Sequence, residues 1–525
     1  MIFRRLLLFF AFIVLSLVDV FSQTVVPSIS NVLRYGNGAR ITIGSEQSFR
    51  YLENVTDIRV GLPFSLTAGG RILFDSPPEI GQRFEGLKRR YLEYHSPGFR
   101  ARIGSFSELF GRGLALHLFE NRGLAFDSWM DGANIQYATG PVAVKGIIGS
   151  LDFRDSLVIA RTERYNLRGL HADIAVLPFV TVGGGFVWGT GDIPNPSGSS
   201  KLDVQIPEIF MNLFLDQFSA SLAWSGKQSR LPGQSSYGTG FYATGSFFGD
   251  GLGITVEYKN YAYDIRTPAE RFDYTRPTRA LPFQNPPTVL KEHVYTLLTR
   301  SLHEVDFNDE LGIQTELFWS PNASTTMNLN ASISSRHGSA DSPGALPSLD
   351  QPVSPFWELF LETEHYYSDA DVVRFGLARR AKVFYADFTG PQFSHNMRST
   401  VIPIQIQHMV APSWSLTVQS EHEWVFDNYN PSQHYYNHFL TIIGSHAPNI
   451  SMTVRHEITT NRYDGSGKQN WLTVEGGYRW RSHVVTVSYG RERGGQVCSN
   501  GICRTLLPFS GIRFSVQSTF LGNPL

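Results

Sequence analysis

Charge is scarce in this chain. Asp, Glu, Lys and Arg make up 17% of its 525 residues and sum to −1, against roughly 25% charged residues in soluble proteins. A near-neutral chain offers no electrostatic footprint for nucleic acid, so none is expected as a partner. Long apolar runs are also lacking beyond the first 22 residues. The uncharged stretch Ile174–Gly191 contains Pro178 and the triplet Gly183–Gly185, which suit a helix poorly. It reads as two strand segments joined at Leu177-Pro178, and a helical membrane protein is a poor fit. Cysteine is limited to two residues, too few for a disulfide framework or a structural metal centre.

Aromatics, glycine and alternation are there instead. Aromatics make up 13% of the chain, with 48 Gly and 22 Tyr, and the mean hydropathy is only −0.15. This balance suits a wall with one apolar and one polar face. The N-terminus assigns the compartment. Arg4 and Arg5 precede the apolar stretch Leu6–Val18, and Val20-Phe21-Ser22 offers a cleavage site before Gln23. Residues 1–22 therefore read as a secretory signal peptide and 23–525 as the mature protein. No Cys follows the cut, so no lipid anchor is expected.

Apolar residues recur at every second position over about ten residues, many times. In the last such segment Ile512, Phe514, Val516 and Phe520 share one face, while Arg513, Ser515, Gln517 and Thr519 share the other. The same pattern holds for Trp414, Leu416, Val418 and Trp424, and for Ile450, Met452, Val454 and Ile458. Segments of about ten residues match a tilted strand crossing the hydrocarbon layer, and exceed the five or six usual in soluble sheets. Trp224, Trp319, Trp357, Tyr366, Tyr367, Trp414, Trp424 and Trp480 cluster near strand ends, where amphipathic rings meet headgroups.

Short and long joints alternate between the strands. The short ones sit at Gly140-Pro141, Leu177-Pro178, Leu215-Asp216, Gly249-Asp250, Pro321-Asn322, Ser368-Asp369, Ala411-Pro412, Ala447-Pro448 and Arg481-Ser482. Long ones are expected at about 190–203, 227–235, 265–309, 336–355, 387–398, 427–433, 461–469 and 491–509. The fold class is all-β: a single large antiparallel transmembrane β-barrel with short periplasmic turns and longer extracellular loops. Nine short joints and a final strand account for 19 strands. Residues 24–130 must add an odd number, because bacterial barrels usually have an even total. Ala39–Tyr51, Ser65–Phe74, Phe99–Phe106 and Leu114–Phe119 are the candidates there. The total is expected at about 22, within a range of roughly 18 to 24. A barrel this wide leaves an aqueous lumen unless something fills it; residues 24–60 or the loop 265–309 could fold inward.

Candidate lumen-facing charges are Glu316, Glu358, Glu362, Glu364, Arg374, Arg380, Lys382, Glu421, Glu423 and Arg455. Both signs are present, so strong ion selectivity is not indicated; they either line a hydrated lumen or form a constriction that sorts solutes. Cys498 and Cys503 flank Asn500-Gly501 in a loop expected outside the cell. A disulfide is the natural reading in an oxidising compartment; free thiols and a metal site are the alternatives, the latter short of ligands. His434 and His438, with His422 nearby, suggest a metal pair on spacing alone, but their aromatic setting favours a girdle or loop role. No glycine pattern precedes a helix as a phosphate cradle does. No Ser-His-Asp arrangement is specific enough to name, so neither an enzyme nor a cofactor is expected. Aromatic Phe520 near the C-terminus resembles the signal read by barrel-assembly machinery, with Leu521–Leu525 following it.

Three stretches carry a family resemblance. They are Gly104–Leu114 continuing through Glu120–Asp127, then Phe283–Thr288 through His293–Arg300 to Glu310–Gln314, then Glu492–Cys498 through Cys503-Arg504. Together they resemble an uncharacterised outer-membrane barrel family known only as a domain of unknown function, with departures at Leu109, Arg112 and His117. The resemblance implies a barrel and an envelope location and no activity. The leading functional expectation is a porin-like channel for small hydrophilic solutes, whose partners are outer-membrane lipid and, during biogenesis, the assembly machinery. A surface or export-assembly scaffold is the alternative, and a barrel-borne hydrolase comes third.

Overall fold

The computed structural model describes residues 25–521 except 43–44, 156–160, 196–197, 271–279, 301–302, 342, 388–391 and 500–501. The expected signal peptide, 1–22, lies outside the described residues. Alternating sequence makes strands, and each strand has two edges whose N–H and C=O groups lipid cannot satisfy. The chain resolves this by closing on itself. The first strand, Val26–Thr42, pairs antiparallel with Ser45–Leu62 on one side and with the last strand, Phe509–Leu521, on the other. The closing seam runs from Ser28 opposite Leu521 to Arg40 opposite Phe509.

The cylinder has 24 strands, all paired antiparallel, at the top of the expected range. Five lie between Val26 and Phe106, eighteen between Met130 and Glu492, and the last is Phe509–Leu521. The odd contribution expected of the N-terminal region is therefore five. Ala39–Tyr51 is not one strand but parts of two hairpin partners. Leu114–Phe119 is not a wall strand; it belongs to a loop inside the barrel and contributes only the two-residue bridge Leu116-His117. All nine short joints lie at one end, as do Val26, which starts the first strand, and Leu521, which ends the last. Two more turns belong there, Pro63–Ser65 and Pro97-Gly98. In the second, Gly98 has φ +74, and a Cβ on it would lie 2.5 Å from the Ala138 carbonyl oxygen.

Some expected long loops are strand. Val180–Asn195 and Gly198–Phe214 pair along their whole length, as do Phe218–Leu231 and Gln234–Gly249. Strand Gln392–Ala411 likewise begins inside the expected 387–398 loop. These strands outrun the bilayer at the long-loop end, and their apolar face changes sides along the way. In Gly198–Phe214, Leu202, Val204 and Ile206 point inward and are buried, while Ile209 and Met211 point outward and are 61% and 39% exposed. Tyr165 and Leu167 are likewise buried, whereas Leu170, Ile174 and Val176 on the same strand are outward and exposed. On the outer surface of the upper segments Arg164 faces Asp152 at 3.7 Å and Lys201 pairs with Asp192. The lower wall thus has an apolar exterior for lipid, and the upper wall has a charged exterior and a dry interior.

Candidate functional site: the lumen

The dry interior is made by loops folded into the barrel. Residues 107–129 and the described parts of 263–308 enter from the long-loop end and cross each other. At the crossing His117 donates its backbone N–H to the Phe283 carbonyl at 2.8 Å and its ring Nδ1–H to the Asn285 carbonyl at 3.1 Å. Gln284 Nε2 donates to the Leu114 carbonyl at 2.7 Å. Gly113 has φ +83 there, and a Cβ would lie 2.6 Å from the Asn285 carbonyl oxygen. Phe110, Leu116, Leu118 and Phe283 pack on Leu167, Val187, Val204 and Ile206 of the wall. His171 is stacked between Phe110 and Phe210 and meets Glu208 at 3.2 Å.

The second loop carries a single helical turn, Thr296–Thr299. Its free backbone groups have no intrahelical partners, so the wall supplies them. Glu421 accepts from the N–H groups of Thr296 and Leu297 at 2.9 and 2.7 Å. Arg380, nearly fully buried, donates to the carbonyls of Leu298, Leu297 and Arg300 at 2.8, 3.1 and 2.9 Å. An acid at the N-terminal end and a base at the C-terminal end suit the alignment of peptide dipoles. Leu297 and Leu298 pack on Phe360, Ala378, Val401 and Phe439.

The remaining sequence-derived charges gather around the same segment. Glu316 accepts from Lys291 at 2.7 Å and from Asn328 at 2.8 Å. Glu358 meets His293 at 2.6 Å, and Glu362 accepts from the Tyr295 hydroxyl. Glu364 pairs with Arg374, Glu423 lies 3.5 Å from Arg380 and accepts from Asn437 at 2.8 Å, and Lys382 shares the inward face of the strand carrying Arg380. Arg455 stands apart, 3.5 Å from Glu475.

Other anchors escape sequence reasoning. Glu108 receives Asn134 at 2.7 Å, Gln136 at 2.6 Å and Lys145 at 3.0 Å. Glu79 is reached by Arg34 at 2.5 Å and by Arg513 at 2.9 Å, from the two strands of the closing seam. Lys259, fully buried, reaches Glu310 at 2.7 Å. Glu208 has a usable signal: it follows Pro207 where the apolar alternation changes parity. Cys498 and Cys503 face each other across the hairpin of Gly495–Ser499 with Ile502–Leu506 and form a disulfide with S–S 2.07 Å. Arg504 ties this hairpin to the first loop through the Leu124 carbonyl at 3.0 Å.

His422 and His438 lie opposite each other on the outward face, ring centroids 5.8 Å apart, beside Trp424 and Tyr436. His434 packs instead on Phe426. Among the described residues there is no group of three His, Cys, Asp or Glu side chains arranged to hold a metal ion, and no helix long and apolar enough to cross a membrane.

The loops do not fill the whole cross-section. On the seam side the inward residues Arg34, Asp57, Arg455 and Glu475 keep 41%, 42%, 40% and 32% of their side-chain surface in solvent, and inward Arg59 and Gln517 are exposed. Beneath the loop crossing, towards the short turns, lies a cavity of about 700 Å³ lined in part by Arg112, His117, Lys145, Asp173 and Glu257.

An even-stranded antiparallel cylinder, apolar outside and charged within, is an outer-membrane β-barrel. Residues 66–520 match a family of unknown function, DUF6029, and the chain belongs to it. No curated protein matches the sequence. Solved structures with a similar course include the siderophore receptor PirA from Pseudomonas aeruginosa, at 9% identity and TM-score 0.48, over 95% of this chain and 80% of that one. The copper transporter OprC follows at 10% and 0.46, over 95% and 81%. The P pilus usher PapC translocation pore aligns at 10% and 0.40, over 96% and 100%.

Proposed function

We propose that this barrel is a restricted, porin-like channel for small hydrophilic solutes in the outer membrane. The solvated seam sector carries this reading: exposed charged side chains point into the lumen beside a dry bundle of loops. Loop 107–129 and the described parts of 263–308 then act as a built-in constriction, and water and solutes follow the wall they leave bare. A lumen lined by rings of charged side chains sorts solutes by size and charge. The reading includes no catalytic step and no cofactor. Phe520, outward and half-exposed, is the proposed assembly signal, and the assembly machinery and outer-membrane lipid are the proposed partners.

Purified protein in planar bilayers should give stepwise conductance well below that of an unobstructed barrel of this width. Permanent silence across solutes and voltages would count against the channel. The exposed Leu346 and Leu349 in the 336–355 loop favour a second reading, a surface scaffold. Deleting that loop would then abolish partner capture with conductance unchanged.

A further inference from the structure

We infer that the short-turn mouth of the solvated sector is an anion-binding site, which makes the preferred solutes carboxylate- or phosphate-bearing molecules. The cavity there measures about 500 Å³ and is lined by Arg59, Ser65, Thr67, Glu93, His95 and Arg100. Its one carboxylate is already paired with two of the guanidinium groups. Glu93 accepts from Arg100 at 2.8 and 2.9 Å and from Arg102 at 2.6 Å, all at the same oxygen. Arg102 is further held against the Tyr91 ring, 4.2 Å from its centroid. Arg59 is exposed, points into the cavity and has no carboxylate partner among the described residues. Three guanidinium groups therefore face one acid, leaving a surplus of two positive charges.

The neighbouring charges do not cancel it. Asp57, the next inward residue on the strand of Arg59, is bound by Arg71 through two hydrogen bonds of 2.7 and 2.9 Å. A guanidinium presents a planar fork that matches carboxylate and phosphate oxygens. The Ser65 and Thr67 hydroxyls add neutral donors at the rim. Low-dielectric walls focus the field of such a cluster and raise the local concentration of counter-ions.

The site itself stands on this geometry; its role in selecting solutes rests on the channel reading. Two measurements separate them. Calorimetric titration of the detergent-solubilised full chain with inorganic pyrophosphate should show saturable binding. That binding should weaken tenfold or more in Arg59→Gln/Arg100→Gln and less in Arg59→Lys, with heat-modifiable migration on gels confirming an intact barrel. Absence of saturable binding, or equal affinity in the double variant, overturns the site. If the double variant fails to fold, Arg59→Gln alone, which breaks no ion pair among the described residues, decides the question by the same comparison. In planar bilayers under a potassium chloride gradient the reversal potential should report anion preference, shifted towards cations by Arg59→Glu. Cation preference in the unaltered protein overturns the solute class. A protein that binds pyrophosphate yet never conducts refutes the channel and leaves the site standing.

Discussion

Arg380 is the residue whose removal should open the lumen. It leaves the wall, crosses to the single helical turn and satisfies three of its terminal carbonyls at 2.8, 3.1 and 2.9 Å. It is also flanked by Glu423 at 3.5 Å and Glu358 at 4.0 Å. In Arg380→Ala the carbonyls lose their donor and the buried Glu423 loses its paired guanidinium, while Glu358 keeps His293. Removing one member of a buried charged pair typically costs about 3–5 kcal/mol. At about 1.4 kcal/mol per tenfold, the lower figure shifts the balance of docked and undocked loop by roughly a hundredfold. A segment undocked on the order of once in a thousand would then be undocked about once in ten. Single-channel recordings should show frequent excursions to a larger conductance, and hydrogen exchange should accelerate across 290–300. The outward neighbour Arg379, which contacts Thr400 on the exterior, is the control, and its replacement by Ala should do neither. Exchange across 290–300 as slow in Arg380→Ala as in the unaltered protein would refute the reasoning, whatever the conductance does.

Four further outcomes are expected. Gly113→Ala forces a side chain to within 2.6 Å of the Asn285 carbonyl oxygen at a positive φ; it should cost about 1–3 kcal/mol and lower the temperature at which the barrel loses its compact migration on gels. Cys498→Ser removes a short cross-link worth about 2 kcal/mol by chain entropy; added protease should cut the 493–508 hairpin faster while the barrel stays intact. Leu170→Arg places a charge on the lipid face, where it costs about 2–4 kcal/mol near the midplane, so less folded barrel should reach the membrane. In the 460–469 loop, burial alone would raise the Asp464 carboxyl, but the paired Arg493 at 2.7 Å and the Ser466 hydrogen bonds outweigh it and hold it below the usual carboxylate range. A lowered folded pKa means this contribution is present above the ordinary carboxylate pKa and disappears as pH falls through the lowered value; exchange in that loop should quicken on acidification, and equally fast exchange at neutral pH would argue against the pair.

Alternation is legible in the sequence where lipid imposes it. Turn chemistry at Gly140-Pro141, Ala411-Pro412 and Arg481-Ser482 places hairpins without any knowledge of pairing. Pro63–Ser65 and Pro97-Gly98 are harder to see, because the strands around them carry charges such as Arg71, Arg89 and Arg102 that blur the pattern. The interior is less legible for a different reason. Leu202, Val204 and Ile206 alternate just as Ile209 and Met211 do, and nothing local says that the first set faces loop and the second faces lipid. Leu114–Phe119 reads as a strand because its apolar residues serve a core that only the folded cylinder creates. Residues 26–42 and 45–60 form wall, while the described parts of the expected 265–309 loop fold inward, one of the two expected possibilities; the second inward loop, 107–129, has no signal of its own in the pattern. The ten charges singled out in the sequence all sit on strands, yet Lys291, His293 and Tyr295, the partners of Glu316, Glu358 and Glu362, come from a distant loop, which periodicity cannot reveal.

The change of sides along Gly198–Phe214 has an evolutionary reading. Below it, lipid asks only that Ile209 and Met211 stay greasy, so one apolar residue can stand in for another. Above it the requirement turns inside out. Leu202, Val204 and Ile206 must fit a packed interior, whereas Lys201 and Asp203 look out at whatever meets the cell. An antibody or a phage gripping that rim would read residues that can drift without loosening the wall, and a lineage could thus remodel its outermost surface while leaving the lumen beneath untouched.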